Sequence, residues 1–417
     1  VTAALDPRAV EVLDVHVGST HVGELRRTTQ GASFRYLDEV LGAELAVGFR
    51  MPVRKEPFVV RGANLHPFFA GLLPEGLRLR ALVRGLKTSE DDMYSMLAAV
   101  GGDTVGAVSV ALPGTAPIVH EPSADLDHPE GQRFLDLLER SLRWDAALGR
   151  PGERHALAGV QPKVSAGMIS FPVRVARAHA APAPCILKLE PADLPHLVAN
   201  EHFFMNLARD VGLEVASVRL LSDREGRPGL LVARFDRSRD ADGRIDKHAQ
   251  EDACQLLDRY PADKYRVPLR AFAEALEVCT APAAERLRLL ELVAFSYLIA
   301  NGDLHAKNLS VRRADGMVRL APAYDLLTTL PYGDDTMALP LEGRDTRLGR
   351  ADFVAFGERA GVRRAATERM LSNLVSRLRR RLAATDRPDL GAIGFDAKAT
   401  RHLERTMQAR CDALVGG

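Results

Sequence analysis

An α+β fold of two lobes is what this sequence predicts, on three observations. Short apolar strands dominate from about Gly131 to Phe235, one amphipathic helix, "LVANEHFFMNLARDVG", interrupts them, and helical patterns take over beyond about Gln250. With 417 residues, 46% of them apolar and 27% charged, the chain can fill two or three cores.

The elements follow in order. "EVLDVHVGSTHVGELRR" alternates as strand, turn and strand, with Gly18 at the turn, and "FVVRGANLHPFFAGLLPEGLRLRALVRGL" reads as a loop entering a helix. Together they form a mixed α/β N-terminal module, residues 1–115. Residues 111–130, rich in Pro, Ala and acids and weakly periodic, read as a linker. The strand-rich part, 131–240, contains "PVRVARA", "CILKLE" and "GLLVARF", with the amphipathic helix between the last two. The mostly helical part, 241–417, contains "AAERLRLLELVAFSYLIA". No internal repeat or low-complexity tract is present.

Bulk properties exclude several classes. The net charge is +1, from 56 basic and 55 acidic residues, so no global field favours nucleic acid or an anionic membrane. Cys185, Cys254, Cys279 and Cys411 are scattered, without a CxxC pair, which argues against zinc and for reduced thiols in a cytoplasmic protein. No apolar run approaches the roughly 18 residues of a membrane helix. The N-terminus lacks the basic flank and apolar core of a signal peptide, although a chain starting at Val1 is compatible with processing or trimming.

The chemistry concentrates in "NGDLHAKN", residues 301–308, directly after the apolar run "LVAFSYLIA". A helix apolar nearly all round is buried, and the polar loop at its end is held in place. Asp303 and Asn308 have the spacing of a kinase catalytic loop, in which an Asp accepts the substrate hydroxyl proton and an Asn five residues on binds magnesium. Asp325, 22 residues after Asp303 and just past the strand pair in "LSVRRADGMVRLAP", supplies the harder oxygen ligand that Mg²⁺ needs. A lone Asp in a loop is ordinarily a turn or cap; three such residues after one buried helix form a constellation. His305 and Lys307 lie between the ligands and either bond phosphate oxygens or tie the loop to its own backbone.

Lys188, mid-strand in "CILKLE", needs a partner if it faces a cleft, and Glu201 on the following helix is the natural one; otherwise Lys188 faces solvent at an edge. "PGERHALAGVQPKVSAG", with Gly152, Gly159 and Gly167, matches neither GxGxxG nor the Walker pattern, and alone says only flexible turn.

With these residues in view the chain resembles the HipA family, the serine/threonine kinase toxins of bacterial type II toxin–antitoxin modules. The motifs that carry the resemblance are "FFAGLLPEG", "AGVQPK", "ILKLE", "NEHFF", "ARFDR", "QEDACQ", "NGDLHAKN" and "YDLLTT", in the family's order over nearly the whole chain. The resemblance implies a protein-kinase-like two-lobed fold using ATP and Mg²⁺. It implies that Ala158, Gly159, Val160, Gln161, Pro162 and Lys163 form the loop over the ATP phosphates, that Lys188 contacts them, and that Ala233, Arg234 and Phe235 are the hinge that reads adenine. Asp303 is then the catalytic base, His305, Ala306, Lys307 and Asn308 lie along nucleotide and metal, and Tyr324 and Asp325 complete the site. One position departs: Ala156 stands where many relatives carry an autophosphorylated Ser, and it offers no hydroxyl, which leaves a nearby residue such as Ser165 or an unregulated version.

The resemblance further implies an aminoacyl-tRNA synthetase as substrate, with stalled translation and growth arrest, and a HipB-like helix-turn-helix antitoxin that binds operator DNA. Residues 361–381 carry seven arginines, among them Arg379, Arg380 and Arg381, against one acid, Glu368. Such a stripe either meets phosphate backbone or is a solvated helix face. Two other functions compete: a small-molecule phosphotransferase with the same loop logic, and a pseudokinase corepressor acting through a DNA-binding antitoxin.

Overall fold

The computed structural model describes residues 6–62, 65–117, 123–125, 131–141, 168–177, 180–239, 245–386 and 388–416. The N-terminal module is a five-stranded antiparallel sheet in the spatial order Phe58–Arg61, Gly31–Tyr36, Thr20–Thr28, Val12–Val17, Val108–Ala111. Gly18 takes φ 59° at the first hairpin, the left-handed conformation glycine adopts without strain. The module closes over its own core, with Phe34, Tyr36, Phe69 and Leu97 fully buried. What reads as one helix after Phe58 is two, Pro67–Gly71 and Gly76–Leu86, separated by Leu72–Glu75.

A second five-stranded sheet carries the strand-rich lobe, in the order Ser123–Asp125, Ile169–Arg177, Ala180–Leu189, Pro228–Ala233, Val218–Ser222. Its first strand lies inside the stretch read as a linker and pairs in parallel with Ile169–Arg177, so part of that stretch belongs to this lobe. Lys188 lies on the middle strand, opposite Ser170 on one side and Leu230 on the other. The amphipathic helix forms as Leu197–Asp210, burying Val198, Phe204, Met205 and Leu207 against the main core.

The helical lobe is built on Pro282–Leu298, with a proline in its first turn where a missing N–H costs nothing. Leu289, Leu290, Val293, Ala294, Phe295 and Leu298 are all buried within one core shared with Arg350–Arg359, Arg364–Ala383 and Ala397–Val415. The helix ends in a left-handed Ala300, φ 55°, which turns the chain sharply into Asn301. A three-stranded sheet, Gln250–Asp252, Ser310–Ala314 and Met317–Leu320, then fixes the far end of the polar loop. No helix among the described residues is long and apolar enough to cross a membrane.

Candidate active site

The loop after the buried helix is fixed from within. The Asn301 side chain accepts from the Asp303 N–H at 3.0 Å, and the Asn308 amide donates to the Asp303 carbonyl at 2.9 Å. Gly302 has no room for a side chain: a Cβ there would lie 2.7 Å from Thr329 Oγ1 and 2.8 Å from the Thr336 carbonyl. Asp303, His305 and Asn308 are all buried. Burial, aided by Lys264, pushes His305 down to about 4, so its imidazole is neutral near pH 7.

Asp325 is brought to this loop by a second set of bonds. Thr329 Oγ1 accepts from the Gly302 N–H at 2.8 Å, and Tyr324 OH donates to the Lys307 carbonyl at 2.7 Å. Asn200 and Thr328 exchange two hydrogen bonds, of 2.8 and 3.0 Å, which register the helix Leu197–Asp210 against the segment after Asp325. Asp325 itself has φ 56°, a left-handed conformation that Asp adopts at some cost.

Lys188 links the two lobes. Its ammonium lies 2.6 Å from Glu201 Oε1 and also hydrogen-bonds Asp325 Oδ1. Burial would lower the Lys188 pKa, but the two carboxylates raise it further, so the lysine stays charged. Burial pushes the Glu201 carboxyl up to about 7 against the pull of Lys188, and its Oε2 has no hydrogen-bond partner among the described residues. The expected lysine and glutamate pair is thus present, together with the expected acid.

The remaining predicted residues divide. Ala233 pairs with Cys185 at the end of its strand, and Phe235 packs its ring 5.6 Å from that of Tyr324. The Arg234 guanidinium is buried in an ion cluster with Asp103 and Asp236. Lys307 ties the loop not to its own backbone but to other segments: 2.7 Å to Asp252, 3.6 Å to Glu75 and 3.4 Å to the Gly71 carbonyl. Ala156, Ala158, Gly159, Val160, Gln161, Pro162 and Lys163 lie outside the described residues.

Four residues absent from the sequence reading reach the site. Glu75 from the N-terminal module pairs with Lys264 at 2.8 Å, Asp252 holds Lys307, and Tyr265 OH donates to Asp303 Oδ1 at 3.1 Å. "FFAGLLPEG" and "QEDACQ" were visible as motifs, yet no local pattern reveals contacts across 38 or more residues of chain.

The arginine stripe looks different in space. Arg381 pairs with Asp210 at 2.7 Å and Arg364 with Glu358 at 2.9 Å, while Arg377 pairs with Glu291 and Arg379 with Asp412. Counting acids within the stripe missed carboxylates supplied by neighbouring helices. Arg380 lines a groove of about 480 Å³ with Arg369 and Arg377.

A lysine bridged to a helix glutamate, above a buried Asp and Asn loop at the junction of a strand lobe and a helical lobe, defines the class: a protein-kinase-like two-lobed core. The chain belongs to the HipA family. Residues 13–111 match the HipA N-terminal domain and residues 155–382 the HipA-like C-terminal domain. A Sinorhizobium fredii protein named "Putative kinase Y4mE" is 35% identical over 88% of this chain and 90% of its own length. The "Serine/threonine-protein kinase toxin HipA" of Shewanella oneidensis is 25% identical over 97% of this chain and 96% of its own. Among solved structures, the Shewanella oneidensis complex of HipA, HipB and operator DNA superposes with a TM-score of 0.72 at 22% identity, covering 97% of each chain.

Proposed function

We propose that this chain is an ATP-dependent protein serine/threonine kinase, the toxin of a toxin–antitoxin pair, acting in the cytoplasm. The observation that carries the reading is the Lys188 ammonium held between Glu201 and Asp325, one from each lobe, with Asp303 near enough for its charge to act on Glu201. Lys188 neutralises phosphate charge, Ala233 to Phe235 form the adenine hinge, and residues 158–163 cover the phosphates. Asp303 accepts the proton of the acceptor hydroxyl.

Asn308 and Asp325 would hold Mg²⁺. The donor chemistry fits: an amide oxygen from Asn308 and a carboxylate oxygen from Asp325, the latter sharing one ammonium with Glu201. Held there, Mg²⁺ would supply positive charge against the phosphates.

The names of the relatives support kinase activity, and the likeness to a HipA, HipB and operator DNA complex supports a HipB-like helix-turn-helix antitoxin and operator DNA as partners. An aminoacyl-tRNA synthetase is the proposed acceptor, with arrested translation as the outcome. Ala156 removes one hydroxyl through which such a kinase would silence itself. Brief expression of the chain beside Asp303→Gln, followed by phosphoproteomics, tests the reading. New Ser/Thr phosphosites confined to the parent are expected, and identical phosphosites in both would refute it. Label appearing only in metabolites would favour a small-molecule phosphotransferase, and no turnover a corepressor.

A further inference from the structure

The segment Pro261–Arg266, which no motif singles out, is bonded directly to the loop that carries Asp303. The Ala306 N–H donates to the Lys264 carbonyl at 3.0 Å, and Tyr265 OH donates to Asp303 Oδ1 at 3.1 Å. The Tyr265 ring meets the His305 imidazole edge-on, centroids 5.1 Å apart. Lys264 in turn reaches Glu75, so the N-terminal module braces the same segment. Two adjacent residues therefore hold the backbone, the base and the flanking imidazole of one short stretch.

We propose that Tyr265 is a positioning residue for phosphoryl transfer: its hydroxyl holds the Asp303 carboxylate in the plane from which it meets the acceptor. The inference rests on the kinase reading above. A carboxylate swings about two soft torsions, and transfer depends on the acceptor oxygen, its proton and the base being aligned together. Packing against His305 fixes the phenol, and the phenol fixes the base. In the step itself the acceptor O–H proton passes to Asp303 and a new O–P bond forms. The bond from the γ-phosphorus to its bridging oxygen breaks, and ADP leaves with that electron pair. Tyr265 keeps its proton throughout.

Tyr265→Phe keeps the ring and deletes only the hydroxyl. The test uses the full chain with γ-labelled ATP and a fixed amount of bacterial lysate protein as acceptor, comparing the parent, Tyr265→Phe, Asp303→Asn and the double variant. The expected result is an initial transfer rate at saturating ATP about tenfold to a hundredfold lower in Tyr265→Phe. Its half-saturating ATP concentration, its affinity for a fluorescent ATP analogue and its Tm stay at parental values, and the double variant is no slower than Asp303→Asn. A parental rate in Tyr265→Phe, with Asp303→Asn inactive, overturns the positioning role and leaves the kinase reading intact. A rate loss matched by weakened nucleotide binding or a lower Tm also overturns it, because the role is then structural. Parental labelling by Asp303→Asn would overturn the kinase reading and this inference together.

Discussion

The cluster of Asp103, Arg234, Asp236 and Arg237 and the cluster of Lys188, Glu201 and Asp325 both bury charge, but they are assembled differently. In the first, two carboxylates face two guanidiniums: Arg237 reaches Asp103 at 3.0 Å and Asp236 at 2.8 Å, and Arg234 reaches them at 3.2 and 2.9 Å. The Thr104 carbonyl and the Gly106 N–H take up further bonds, and Asp103, Thr104 and Gly106 belong to the N-terminal module. Lys247 also reaches Asp103, at 3.9 Å, so the carboxylates are fully matched by cations, and the cluster fastens two parts of the chain. In the second, one ammonium serves two carboxylates, one oxygen of Glu201 is left without a partner, and Asp325 sits in a left-handed backbone. A surplus of negative charge and a strained acid are what a site awaiting a cation and a polyphosphate needs, whereas a structural joint does better without either.

The largest test of this contrast is Lys188→Met, which should lower phosphoryl transfer by about three orders of magnitude or more while moving Tm little. Burial raises the Glu201 carboxyl and Lys188 pulls it down, so losing the lysine raises it further and lets it take up a proton. Labelled-ATP transfer and thermal melting together check this, and a collapse of Tm with retained transfer per folded molecule would invert the two assignments.

Asp103→Ala is the complementary case. Two buried guanidiniums lose a counter-ion, and a destabilisation of about 3–5 kcal/mol is expected, read by urea denaturation. Transfer per folded molecule should suffer far less than in Lys188→Met.

A third arrangement sharpens the rule, an acid that forms no ion pair among the described residues. Glu251 is buried, accepts the Phe49 N–H at 2.7 Å, and leaves Oε2 without a partner among the described residues. Burial pushes it up to about 8. Because the folded pKa lies above the ordinary one, the stability it contributes is full below about pH 4.5 and is lost as pH rises through 8. Glu251→Gln locks the neutral form and should raise stability by about 2–3 kcal/mol above pH 8 while changing little in acid, as measured by melting across pH.

The smallest effects belong to the surface. Arg379→Ala and Arg381→Ala break exposed pairs with Asp412 and Asp210 and should each leave Tm nearly unchanged, as thermal melting will show. If the stripe meets operator DNA, these changes lower the salt slope of binding by the kinase–antitoxin complex; an unchanged slope leaves the stripe as a solvated face.

Much of this was legible in one dimension because its signals are local. The helices Leu197–Asp210 and Pro282–Leu298 have apolar patterns that burial enforces, and the spacing of Asp303, Asn308 and Asp325 is fixed by a short loop and a hairpin. Lys188 stood out because a cation inside an apolar strand demands an explanation. The joint between the N-terminal module and the catalytic loop was not legible. Glu75, Asp252 and Tyr265 lie 232, 55 and 38 residues from their partners Lys307, Lys307 and Asp303, and ordinary acids or a lone tyrosine carry no periodic signal. The pairing of the arginine stripe was hidden for the converse reason: carboxylates that meet Arg364, Arg377, Arg379 and Arg381 come from other helices.

The left-handed backbone at Asp325 has a practical corollary. Asp325→Gly would relax a conformation that costs an L-residue roughly 1–2 kcal/mol and leave Lys188 and Glu201 as an even pair. The protein so altered should be catalytically dead yet melt no lower than its parent. For growth experiments that test the proposed toxicity, that is a cleaner control than any alanine, since silence could not be mistaken for misfolding.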